Sequence, residues 1–144
     1  MKYMLYASLV LATTLIAHGA APTDDATTIQ GTWIPARAEL AGRPMPDAVL
    51  KSIRLKMDNG KYEVFVGDEP DRGIYAIDST SSPRSITITG MEGPNAGKTF
   101  PAIYELKDET LRICYDLSGS KRPTEFKSIA GTKLYLVTYS RRKE

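Results

Sequence analysis

The chain has 144 residues, 42% of them hydrophobic and 25% charged, with a formal net charge of +2 at pH 7. That length makes one domain, which buries roughly two-thirds of the surface its unfolded chain exposes and needs no disulfide or metal staple. The proportions exclude a disordered tail, a collagen and a membrane bundle.

Lys2 is the only charge before Asp24, and Met4 to Ala17 is apolar except for Ser8, Thr13 and Thr14. Gly19, Ala20 and Ala21 follow. A charged start, a short apolar run and a small-residue exit are the parts of a secretory signal peptide. The run falls short of the roughly 20 residues that cross a bilayer as a helix. Residues 1–19 are therefore read as a signal peptide, cut after Gly19 or after Ala20; an uncleaved N-terminal anchor is the alternative. Cleavage removes Lys2 and His18, the single histidine, and leaves basic and acidic residues almost balanced. Such a balance gives no reason to expect nucleic acid as a partner. No cysteine lies near the exit, so no membrane anchor is expected after cleavage. The product is expected to be exported, periplasmic or secreted.

Residues 20–29 are small and polar, with Pro22 and Asp24-Asp25, and read as a flexible leader to a domain at 30–142. Thr32 to Leu40 opens a series of strands. Pro46-Asp47 then leads into Ala48, Val49, Leu50 and Ile53, an i, i+3, i+4 spacing that predicts one short helix near 46–53. Ile53, Leu55 and Met57 alternate with Arg54, Lys56 and Asp58. Asn59-Gly60 supplies residues that tolerate positive φ in a tight hairpin, and Tyr62, Val64 and Val66 return from it. Ile74 to Ile77 is a further run, and Ile86 and Ile88 alternate with Ser85, Thr87 and Thr89. Phe100 to Leu106 is interrupted by Pro101, which marks an edge or a bulge. After the Asp108-Glu109 turn, Leu111, Ile113 and Tyr115 alternate with Arg112, Cys114 and Asp116. Lys133 to Ser140 is the last run. Such spacing belongs to an antiparallel sandwich or barrel, with one face of the sheet buried and the other wet.

Gly31-Thr32-Trp33 at the first strand resembles the Gly-x-Trp signature of lipocalins and the wider calycin barrels. The resemblance implies that Trp33 plugs the closed end and that a basic residue of the last strand, Arg141 or Arg142, packs across its ring. Gly31, Trp33, Arg141 and Arg142 are thus the expected structural set. Five segments in order carry a closer resemblance. They are Gln30 to Trp33, Glu92 to Thr99, Ile103 to Leu106, Asp108 to Tyr115 and Arg122 to Phe126, with Gly42 to Pro46 between the first two. Together they resemble a family of small uncharacterised secreted domains expanded in planctomycetes and related bacteria. That family is lipocalin-like in fold and has no established activity to transfer. The expected fold is therefore all-β, a single antiparallel up-and-down β-barrel of about eight strands.

Most familiar chemistries lack their parts. Gly93 to Thr99 has a phosphate loop's composition, but its glycines are one residue too close and Phe100-Pro101 follows where a helix should open. It reads as a hairpin loop. With no histidine after position 18 and one cysteine, zinc has no ligand set, and no metal or cofactor is expected. Asp68, Glu69 and Asp71 could hold a weak calcium ion or form a solvated turn around Pro70. Histidine-dependent nucleophiles are excluded. Glu39, Glu63, Glu105, Asp116 and Glu125 are the carboxylates from which an acid–base pair would come. Cys114 is either packed within its strand or available to a second chain.

Arg122-Pro123-Thr124-Glu125-Phe126 supports two readings: a ligand gate with Arg122 as an anion contact, or a structural corner anchored by Phe126. Tyr62, Tyr104 and Tyr115 combine an apolar body with a polar tip. An eight-stranded barrel is just wide enough to be filled by side chains or to hold one small ligand. The leading hypothesis is a binding module for a small apolar or amphipathic ligand, contacted by Trp33, Tyr62, Tyr104, Tyr115, Arg122 and Glu125. A scaffold domain with a filled core and an exported protein partner comes second. A carboxylate-based hydrolase comes third.

Overall fold

Along residues 53–58 side chains alternate between buried and exposed, with Ile53, Leu55 and Met57 facing in and Arg54, Lys56 and Asp58 facing out. The same period of two recurs through the chain and gives the sheet one apolar face to close around. The computed structural model describes residues 24–143. Residues 1–19, read as a signal peptide, and residues 20–23 of the leader lie outside the described residues. The elements in order are α1 (Asp25–Thr28), β1 (Gly31–Leu40), β2 (Arg43–Pro44), α2 (Asp47–Lys51), β3 (Ile53–Asp58), β4 (Lys61–Val66), β5 (Glu69–Asp78), β6 (Ser85–Glu92), β7 (Thr99–Lys107), β8 (Thr110–Asp116) and β9 (Leu134–Arg141).

From β3 to β9 each strand bonds antiparallel to the next, and β9 returns to β1 from Trp33↔Arg141 to Leu40↔Tyr135. On its other side β1 carries β3 at its start and the two-residue β2 at its end. Setting β2 aside, the wall is a closed, antiparallel, up-and-down barrel of eight strands. Asn59 and Gly60 both adopt positive φ at the β3–β4 hairpin, the conformation such a tight turn requires. α2 falls in the segment that the i, i+3, i+4 spacing marked, and Leu50 is its buried residue.

Residues 24–29 belong to the fold, which corrects their reading as part of a flexible leader. Asp24 caps α1 by accepting from Ala26 N–H. Ile29 and Trp33 are both fully buried, and Trp33 Nε1 donates to the Ile29 carbonyl at 2.9 Å. The short polar run gave no apolar period to follow; the tie to Trp33 is what holds it. Asp25 turns inward too, where Tyr104 Oη donates to its carboxylate at 2.7 Å and Arg84 pairs with it at 3.0 Å.

Pro101 marks neither a free edge nor a bulge, because it pairs with Thr87 in unshifted register within the closed wall. Tyr104 N–H donates toward β6, so by alternation the Pro101 nitrogen lies on the β8 side. That ladder ends at Ala102↔Tyr115, and no ladder bond is lost there.

The long β8–β9 connection, residues 117–133, folds back over the outside of the barrel. Ile103 and Cys114 face outward yet are buried, and Cys114 Sγ lies 3.4 Å from the Lys127 carbonyl it donates to. The Arg112 guanidinium stands 4.1 Å from the centre of the Phe126 ring. A small second core therefore lies between the connection and strands β7 and β8.

Candidate binding cavity at the open end of the barrel

The two ends of the barrel are built differently. At one end Trp33, Ile29 and Tyr104 fill the interior. Arg141 Cζ stands 4.3 Å from the Trp33 ring centre, while its nitrogens donate to the carbonyls of Gln30 and Thr28 at 2.6 and 2.7 Å. A stacked cation of this kind contributes about 0.5–2 kcal/mol, and here it also satisfies carbonyls at the end of α1. Gly31 has φ of +130°, and a Cβ there would lie 2.8 Å from Arg141 Nη1. Of the two arginines considered for this place, Arg141 occupies it. Arg142 contributes a backbone N–H to the Thr32 carbonyl.

The other end is hollow. A cavity of about 690 Å³ opens there, walled by Leu55, Met57, Val64, Ile88 and Phe100 and by four tyrosines, Tyr62, Tyr115, Tyr135 and Tyr139. Volumes of several hundred Å³ with mostly apolar walls and a few polar groups are typical of small-molecule sites. Tyr62 lies across β5 because Gly73 leaves room for it: a Cβ at Gly73 would collide with the Thr89 carbonyl and the Tyr62 ring. Tyr115 stacks on Tyr135 with ring centres 5.6 Å apart, and its hydroxyl is 3.3 Å from that of Tyr139. Burial pushes the Tyr135 hydroxyl up to about 12. Burial, then the charge of Asp71, does the same for Tyr62. These groups are neutral donors at ordinary pH.

Asp71 is the one charged wall residue drawn out of solvent, at 7% exposure, whereas Glu69, Lys98 and Lys133 at the mouth are exposed. It sits on β5 in phase with Gly73 and Tyr75, both facing in. Asn95 Nδ2 donates to its Oδ2 at 2.5 Å, and its Oδ1 has no partner. Asn95 comes from the β6–β7 loop, which folds down over the start of β5. The solvated turn expected around Pro70 ends at Asp68, which is exposed. β5 begins at Glu69, and Asp71 is a strand residue.

The structure brings two of the six expected ligand contacts, Tyr62 and Tyr115, to this cavity. Trp33 and Tyr104 are in the filled end, where side chains occupy the space a ligand would need. Arg122 is on the outer surface. Its Nη1 donates to the carbonyls of Ile86 and Ala102 at 2.9 and 2.7 Å, and its Nη2 to Thr87 Oγ1 at 2.8 Å. This is the corner reading, not the gate. Glu125 is exposed and pairs with Lys127 at 3.2 Å. None of Glu39, Glu63, Glu105, Asp116 and Glu125 lines the cavity. Glu63 and Glu105 pair with Arg72 and Arg112 on the outside. Among the described residues no group of His, Cys, Asp and Glu is placed to hold a metal ion. Sequence reasoning missed Asp71, Tyr135 and Tyr139; on β5 Asp71 is in phase with Tyr75, and on β9 Tyr135 and Tyr139 are in phase with Val137, a signal it did not use.

A solved structure shares this architecture. The barrel is similar to a DUF4847 family protein from Bacteroides vulgatus ATCC 8482, with a TM-score of 0.50 at 12% identity over 83% of this chain and 98% of that one. At that identity the likeness concerns the fold alone. No family model matches the sequence, and no curated protein matches it.

Proposed function

We propose that the protein is a binding module that holds a small amphipathic molecule in the open end of its barrel. The observation that carries this reading is the cavity itself, about 690 Å³, apolar and aromatic along its walls, with one buried carboxylate at its upper edge. A barrel serving only as a scaffold has no use for such a space, and none of the carboxylates from which a hydrolytic pair was expected lines it. The reading also takes the protein as exported after loss of residues 1–19, and as a relative of the secreted lipocalin-like domains that its sequence segments resemble. Outside the cell such a module would carry or sequester its ligand rather than transform it.

Titration with an apolar anilinonaphthalene dye tests the reading. The wild-type protein is expected to bind one dye saturably. Val64→Trp, which fills the cavity from its wall, is expected to weaken that binding about tenfold or more while keeping the melting midpoint. Equal binding by both proteins, or saturable binding by neither, would contradict the proposal.

A further inference from the structure

Three carboxylates are buried among the described residues: Asp25, Asp71 and Asp116. Asp25 meets the Tyr104 hydroxyl and the Arg84 guanidinium. Asp116 accepts from the backbone N–H groups of Ser118, Ser120 and Lys121 and from the Ser118 hydroxyl. Asp71 has one donor, Asn95, on one oxygen, and the other oxygen is buried without any. Asp71 is also the member of the three that faces the cavity.

A buried carboxylate oxygen without a donor is costly to hold, and the strongest relief is a charge-assisted hydrogen bond from an N–H. We infer that the molecule held in the cavity is an amphipathic amine, its apolar body against the tyrosine and aliphatic walls and its ammonium group donating to Asp71 Oδ1. This inference rests on the binding-module reading and adds the head group to it. The charges at the mouth do not argue for an anion instead. Lys98 and Lys133 are exposed and stay hydrated whether or not a ligand is present. The aromatic walls favour the same choice, because tyrosine faces attract a cation and repel an anion.

The loop that supplies Asn95 belongs to this arrangement. A Cβ at Gly93 would stand 2.6 Å from the Pro70 carbonyl and 3.5 Å from Asp71 Oδ1. The absence of a side chain there lets the β6–β7 loop lie directly over the carboxylate. Pro94, Asn95 and Lys98 of the same segment line the cavity. One carboxylate thus anchors the loop with one oxygen and offers the other to the ligand.

The test compares n-decylamine, n-decanol and n-decanoate, which share one apolar body, by calorimetric titration of the protein lacking residues 1–19. Decylamine is expected to bind one-to-one and about tenfold or more tighter than decanoate. Asp71→Asn is expected to abolish that preference. If wild-type protein binds the three equally, or prefers decanoate, the inference fails and the binding-module reading stands. If the amine preference survives in Asp71→Asn, the inference fails likewise, since another acid is responsible. If none of the three binds, both fail. The wild-type comparison stands by itself should Asp71→Asn not fold.

Discussion

Asp71 and Asp116 are both buried acids, and the donors that reach them separate a binding group from a structural one. Burial alone would lift the Asp116 carboxyl, but the hydrogen bonds from Ser118, Lys121 and Ser120 outweigh it and hold the group below the usual carboxylate value. A folded-state value below the unfolded one means that the ionised form stabilises the fold above the ordinary carboxylate range. The contribution is lost as pH falls through that range. Asp116→Asn keeps the shape and removes the charge. Its deficit in unfolding free energy, read by urea denaturation, is expected to be largest near about pH 6 and to shrink toward about pH 3. A deficit that does not change with pH would contradict this account of Asp116. The sequence placed Asp116 on a strand and left its role open, because the donors come from the three-dimensional path of residues 118–121 and not from any motif.

At the scale of elements, the β8–β9 connection is the part least like a simple turn. It closes a second core over Ile103 and Cys114, and Arg122 fastens it by three hydrogen bonds to β6 and β7. Burial pushes the Cys114 thiol up and shields it. Arg122→Met removes the fastening and leaves the carbonyls of Ile86 and Ala102 to their ladder, at a cost of about 1–3 kcal/mol. Labelling of Cys114 by a thiol reagent under native conditions is expected to be slow in the wild type and about tenfold faster in this variant. Dye affinity in the cavity is expected to be unchanged. The reverse pattern, with affinity lost and labelling unaltered, would restore Arg122 as a gate. Both readings were open in the sequence, since a segment such as Arg122 to Phe126 fits a mouth or a corner until the connection's route is known. α1 went unrecognised for a related reason. Its residues are polar and few, and what fixes them is a bond from Trp33 and the reach of Arg141 from the far end of the chain.

At the scale of the molecule, the all-β class was legible from the strand spacing, and closure into a barrel rather than a sandwich only through the lipocalin-like resemblance. Alternation set which face turns in, Asn59-Gly60 set one hairpin, and the Gly31-Thr32-Trp33 start paired with a basic C-terminal strand marked the end that is plugged. The cavity was not legible, because whether eight strands enclose space depends on the summed volumes of side chains that meet only after closure. Gly73, which lets Tyr62 lie flat, and Gly93, which lets the loop settle over Asp71, act through contacts far apart in sequence. Reading residues 68–71 as a turn around Pro70 hides Asp71, which lies on β5 from Glu69 onward.

The most direct test of the central claim is a mass measurement. The protein lacking residues 1–19 would be incubated with a small-molecule extract of the cells that make it, desalted rapidly and weighed in its native and denatured states. A single one-to-one added mass is expected on the native protein, released on denaturation and missing from Val64→Trp. A native mass equal to that of the bare chain, or the same added mass on both proteins, would contradict the claim that the open end of this barrel is a binding site.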